Sequence, residues 1–235
     1  MISRSYDENV GLTDSWYGKK IRAYLNAYGT KYDFCRLYSS ESGGNILTYN
    51  GTITADGDFE SDELSGFISI LNPTTVEVPN GQALKLDKSY KASKIILFKA
   101  SKNFNDIKLN GVKQNILLDK IFPILNESFG ITEYESWYVD ISHRIRHGVS
   151  DIFLFKTTTV TKVFDIDNFV YLSYIATAKC DRGRGNAGKL LHMLCGEYIK
   201  QGKSVYLYAR EERRSFYESI GFIPEKNEIL YEKDV

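Results

Sequence analysis

Apolar and polar positions along the first 90 residues predict a helix from Ser15 to Tyr28, followed by strands near Tyr32 to Tyr38, Asn45 to Tyr49 and Gly51 to Ala55. Asn50-Gly51 between the last two strands marks a tight hairpin, because both residues tolerate the left-handed backbone such a turn needs. Leu64, Phe67, Ile68 and Leu71 fall on one helical face and predict a helix from Ser61 to Leu71, with a strand near Thr74 to Val78 behind it. Asn80-Gly81 ends this block.

A second block opens with the alternating strand Lys94 to Lys99. A helix from about Asn115 to Phe129 follows, with Pro123 expected to kink it. The next helix, Glu135 to His147, stops at Gly148, a left-handed cap. Three β-rich runs come next: Asp151 to Thr157, Val160 to Asp165 and Phe169 to Thr177. Their connections are too short for parallel crossovers, so an antiparallel meander is expected. The pattern then changes to a glycine-bearing loop, a helix from about Ala187 to Gln201 and a strand from Ser204 to Ala209, which is a unit with two parallel strands. A short helix, Glu211 to Ile220, and a strand, Ile229 to Lys233, close the chain. The expected division is an accessory α/β domain at 1–90 and a second domain at 91–235.

Composition narrows the functions. Thirty Lys plus Arg balance thirty Asp plus Glu, which removes the broad basic field of a general nucleic-acid binder and leaves only local patches. Apolar runs such as Ile95 to Phe98 are far short of a membrane span. Three cysteines, Cys35, Cys180 and Cys195, without metal-ligand spacing argue against a disulfide framework and for a reducing compartment. Met1 to Asp14 lacks the apolar core of a signal peptide, so the expected location is cytoplasmic.

Candidate chemistry concentrates in Arg182-Gly183-Arg184-Gly185-Asn186-Ala187-Gly188-Lys189, between a strand and a helix. Its glycines let backbone amides converge on an anion in front of a helix N-terminus. The plain alternative is that they only permit a sharp turn. Gly183, Gly185 and Gly188 also fit a dinucleotide fingerprint, with Glu211 or Glu212 as the ribose acid. That fold requires further parallel strands, and fewer than 30 residues remain beyond Ala209. Gly183, Gly188 and Lys189 fit a P-loop until Leu190 replaces the magnesium-binding hydroxyl. The third pattern is Arg/Gln-x-x-Gly-x-Gly/Ala, met by Arg182, Gly185 and Ala187. Upstream of it stands Tyr174-Ile175-Ala176-Thr177, and downstream Ser215-Phe216-Tyr217-Glu218-Ser219-Ile220-Gly221-Phe222, an aromatic-Tyr-x-x-x-Gly-Phe sequence.

With these motifs in order, the chain from about residue 91 onward resembles the GCN5-related N-acetyltransferase (GNAT) family. The resemblance implies an α/β (α+β) fold whose mixed, mainly antiparallel twisted sheet is flanked by helices, with the smaller N-terminal domain a degenerate copy. It implies acetyl-coenzyme A as cosubstrate, its pyrophosphate on the amides of Arg182, Gly183, Arg184, Gly185, Asn186, Ala187 and Gly188. Ile175, Ala176 and Thr177 would lie along the pantetheine, and Tyr217 would protonate the departing thiolate. The acceptor would be an amine of a small molecule or a peptide, attacking the thioester directly, with no metal, nucleic acid or membrane involved. A non-catalytic acyl-coenzyme A sensor is the alternative. Lys179 departs from the family's usual proline, and Arg210 from its asparagine.

Other groups are weighed against this loop. Asp140, Glu135, Asp165 and bound water are unranked candidates for the amine's base. Cys180 beside Lys179 and Arg182 suits an acyl relay, although an idle loop thiol is the simpler reading. His143 and His147 stand one turn apart with Asp140 before them, but Arg144 and Arg146 add positive charge, so a wet basic face is expected instead of a metal site. The acids Asp56, Asp58, Glu60, Asp62 and Glu63 would repel a phosphate from the corresponding turn of the first block, which is expected to shape the acceptor site or an oligomer contact, a homodimer included.

Overall fold

The computed structural model describes residues 1–79, 81–101, 104, 110–114 and 116–233. Its elements begin with β1 (Ile2–Ser5), α1 (Trp16–Tyr28), β2 (Cys35–Ser40), β3 (Asn45–Tyr49), β4 (Thr52–Asp56), α2 (Ser61–Leu71), β5 (Thr75–Glu77), β6 (Tyr90–Ala100) and β7 (Val112–Lys113). After a 3-10 turn (Leu118–Lys120) come α3 (Phe122–Phe129), α4 (Tyr134–Arg146), β8 (Asp151–Phe155), β9 (Thr158–Ile166) and β10 (Phe169–Thr177). The turn Lys179–Asp181, α5 (Asn186–Lys200), β11 (Ser204–Arg210), the turn Glu211–Arg213, α6 (Arg214–Ser219) and β12 (Phe222–Lys233) complete the chain.

The chain divides into one unit of Met1–Ile96 with Lys226–Val235, and a second of Leu97–Glu225. In the first, antiparallel β1, β2, β3 and β4 lead to β5, which runs parallel to β4 and antiparallel to the end of β12. Asn50 and Gly51 take positive φ values of 44° and 78°, as the two-residue β3–β4 hairpin requires. Leu64 and Ile68 of α2 bury against Ile46, Ile53, Ala55 and Val76 of the sheet, which is why that helix keeps its apolar stripe.

In the second unit β8, β9 and β10 form the expected antiparallel meander, and β7, which the sequence pattern did not predict, pairs antiparallel with β8. The α5 crossover then places β11 parallel to β10. Leu125 of α3 and Ile141 of α4 pack with Ile152 and Ala176 of the sheet, while α5 packs on β9, β10 and β11. The architecture is a mixed, mainly antiparallel α/β fold flanked by helices.

Three local expectations change. Pro123 does not kink a long helix: it sits in the first turn of α3, where its missing N–H has no intrahelical acceptor to lose. The last strand begins at Phe222, not Ile229. Arg144 is not on a wet face; it is buried, bound to Asp140 at 2.6 Å and to the Ser150 hydroxyl at 2.9 Å. Asn80 of the expected Asn80-Gly81 turn, and Asn115 at the start of the expected helix, lie outside the described residues.

One buried carboxylate organises the first unit. Asp56, at the end of β4, is 1% exposed and accepts hydrogen bonds from Thr13 N (2.7 Å), Thr13 Oγ1 (2.5 Å) and Ser15 Oγ (2.6 Å). Ser15 in turn caps α1 by accepting from Gly18 N at 3.0 Å. Asp56→Ala should therefore destabilise this unit by about 3 kcal/mol, since it leaves three donors without their charged acceptor. Urea unfolding in a Trp137→Phe background, read from Trp16 fluorescence, checks this; an unchanged midpoint contradicts it.

Candidate functional site

The parallel strands β10 and β11 pair only from Phe169–Tyr171 to Ser204–Tyr206. The stacked rings of Phe169 and Tyr206, with centroids 4.0 Å apart, close that end. Toward the other end the register of β10 with β9 shifts twice, between Tyr171 and Leu172 and again between Ser173 and Ala176. At the second bulge Tyr174 and Ile175 together oppose one β9 residue, and Tyr174 takes φ 49°. A cavity of about 670 Å³ lies there, lined by Ser173 to Thr177 from β10 and by Tyr208 and Ala209 from β11.

The glycine loop forms its polar end. Gly183 and Gly185 have φ of 78° and 72°, a backbone that L side chains adopt only under strain, and open space lies where a Cβ would project from either. Gly185 is the N-cap of α5 and offers no capping side chain, and the first turn carries no acid. The helix therefore presents its leading N–H groups and positive dipole end to the cavity. Gly188 is needed for another reason: a Cβ would stand 3.2 Å from Ile220 Cγ2. Asn186, the first residue of α5, is 3% exposed, and its Oδ1 is buried without a hydrogen-bond partner among the described residues.

Side chains brace the loop. Arg182 donates to the Thr177 carbonyl at 2.9 Å and to Ser128 Oγ at 3.1 Å. Lys179 N donates to the Glu127 carboxylate at 2.7 Å. Asp181 pairs with Arg184 at 2.7 Å and accepts from Thr157 Oγ1 at 2.7 Å, and the hydroxyls of Thr158 and Thr177 meet at 2.9 Å.

On the α6 side lies Tyr217, 8% exposed and packed against Phe98, Phe216 and Phe222. Burial pushes its phenol up to about 12, opposed by the Arg213 guanidinium, so it keeps its proton at neutral pH. Tyr217 and the loop line the same cavity.

The structure brings Ile175 to Thr177, Arg182 to Gly188 and Tyr217 onto this one cavity. The base candidates Glu135, Asp140 and Asp165 do not line it: Asp140 is bound to Arg144, and Asp165 pairs with Lys203. Exposed Cys180, in the turn before the loop, is also outside the lining. His143 and His147 stack with centroids 4.1 Å apart, and no group of three metal-ligating side chains occurs among the described residues. Among the lining residues that sequence reasoning missed are Ser128, Phe129, Tyr174 and Arg213. The signal for Arg213 was its place one helical turn before Tyr217; the others come from a bulge and a helix end that periodicity does not reveal.

No family model and no curated protein matches the sequence. Solved structures do share the fold. An acetyltransferase of the GNAT family from Colwellia psychrerythraea is 11% identical, with a TM-score of 0.57 over 100% of both chains. A GCN5-related N-acetyltransferase from Sphaerobacter thermophilus is 15% identical, with a TM-score of 0.57 over 92% of this chain and 85% of that one. Another from Kribbella flavida is 9% identical, with a TM-score of 0.57 over 92% of this chain and 96% of that one. These superpositions show that the chain has the GCN5-related N-acetyltransferase fold.

Proposed function

We propose that the protein transfers an acetyl group from acetyl-coenzyme A to a primary amine by direct attack, with Tyr217 as the general acid. The observation that carries this reading is that Ile175 to Thr177, the loop Arg182 to Gly188 and Tyr217 line one cavity between diverging parallel strands.

The residues present fit the cosubstrate. Gly183 and Gly185 leave open a cradle that side chains would fill, and the uncapped start of α5 faces it. Acetyl-coenzyme A supplies an acetyl group as a thioester, already activated toward amines. The loop amides and Arg182 or Arg184 bind its phosphates, and the main chain of Ile175 to Thr177 orients its extended arm. As the amine nitrogen bonds to the carbonyl carbon and the carbon–sulfur bond breaks, Tyr217 gives its proton to the sulfur. The proton shed by the amine passes to solvent, from which Tyr217 is recharged.

One observation favours a non-catalytic acyl-coenzyme A sensor instead. The only carboxylate in the cavity lining, among the described residues, is Asp181, already engaged by Arg184 and Thr157. Thiol release separates the readings: a sensor binds acetyl-coenzyme A and releases no coenzyme A with any amine.

Calorimetry should show acetyl-coenzyme A binding that Gly185→Glu, which sets a carboxylate in the cradle, abolishes, with NAD and ATP as weak controls. A folded protein that ignores acetyl-coenzyme A contradicts both readings. Tyr217→Phe should lower kcat by about 10² with the affinity for acetyl-coenzyme A preserved. Because the folded phenol titrates at about 12, above the ordinary tyrosine value, the acid stays loaded as pH rises. The wild-type kcat should hold its plateau through about pH 10, where an unshifted phenol would be half ionised. A fall in kcat centred there, absent in Tyr217→Phe, would contradict a buried acid.

A further inference from the structure

Two half-exposed rings line the cavity outside the core. Tyr174 is 43% exposed and Phe129, the last residue of α3, is 48% exposed, yet they meet edge to face with centroids 5.6 Å apart. Neither belongs to the core beneath, where Ala176 and Leu125 fill the corresponding positions of β10 and α3. Tyr174 also holds φ 49°, a conformation costing about 1 kcal/mol or more for a bulky side chain. A strained backbone that turns an aromatic ring out of the core and onto a second half-exposed ring, inside a cavity, provides an apolar surface for a ligand.

Position and charge say which ligand. Tyr174 at the β10 bulge and Phe129 at the end of α3 line the cavity outside the loop Arg182 to Gly188. Among the described residues the lining carries a single carboxylate, Asp181, which Arg184 and Thr157 already hold. An acceptor with a second ammonium would find no free carboxylate there to receive it.

Resting on the acetyl-transfer reading, we infer that the acceptor is a primary amine carried on an aromatic or aliphatic body without a second positive charge, its body seated on the Phe129–Tyr174 pair. Phe129 is then a specificity-determining residue. Its half-exposed ring at a helix end lets it be replaced without opening the core.

Acetyl transfer to phenylethylamine, hexylamine and spermidine tests this, together with calorimetry of each amine against the protein saturated with coenzyme A. The apolar amines should be used with kcat/KM at least about 10² above spermidine. Phe129→Ala should raise KM for phenylethylamine about tenfold, more than it lowers kcat, with the affinity for acetyl-coenzyme A unchanged; Phe129→Leu should recover part of that loss for hexylamine. Phe129→Asp should shift preference toward spermidine. Preference of the wild type for spermidine, no binding of either apolar amine to the coenzyme A-loaded protein, or an unchanged KM in Phe129→Ala overturns the inference while leaving acetyl-coenzyme A binding intact. Failure to bind acetyl-coenzyme A overturns the reading beneath it, and calorimetry with the cosubstrate alone identifies that case.

Discussion

Two parallel strands that stay together leave no room between them, and the site depends on β10 and β11 parting after three paired positions. The bulges of β10 against β9 bend the strand at that point, and the positive φ of Tyr174 is the local cost of the bend. What holds the opened geometry is the last turn of α3. Its three consecutive residues each reach a different part of the site: Glu127 takes the Lys179 amide at 2.7 Å, Ser128 takes Arg182 at 3.1 Å, and Phe129 meets the Tyr174 ring at 5.6 Å. One helix end thus fixes the bulge and the loop together. Glu127 and Ser128 serve the loop and Phe129 serves the bulge, so the ring can change while the two hydrogen bonds to the loop stay in place.

Much of the fold could be read from local pattern. The strands Asn45–Tyr49 and Phe169–Thr177 and the helix Ser61–Leu71 begin and end where periodicity places them, because turn residues or side-chain caps flank each. The loop from Arg182 to Gly188 was legible too, since glycine at positive φ leaves a mark in the sequence. The misreadings share a cause. Apolar residues before Pro123 continue a helical spacing, so nothing local distinguishes a kink from a helix start. Arg144 looks solvated until Ser150, on the following segment, supplies a buried partner. Lys226 pairs with Glu228, which is 2% exposed, inside a stretch of β12 that reads as a charged loop. Phe129 and Tyr174 became visible as a pair only once a bulge had broken the two-residue alternation that predicts which way a strand residue faces.

The first unit shows how little the order of elements decides. Its α1, β2, β3, β4, α2 and β5 follow the same sequence as α4, β8, β9, β10, α5 and β11, with the last two strands parallel in each set. Yet the positions that bear chemistry in the second unit are satisfied by side chains in the first. At the start of α2, the Glu60 carboxylate accepts from Asp62 N at 3.1 Å and Glu63 N at 2.6 Å, and Asp62 and Glu63 add negative charge to the first turn. The chain's own anion stands where α5 leaves its amides uncapped. Beyond β5, the Val78 carbonyl accepts from the Tyr17 hydroxyl at 2.7 Å, and at the end of β4 Asp56 is taken up by Thr13 and Ser15. A carboxylate cap repels phosphate by direct charge and occupies the N–H groups a phosphate would need. The same topology therefore yields an open, uncapped helix start or a self-capped one according to a few residues, and function has to be argued from those residues.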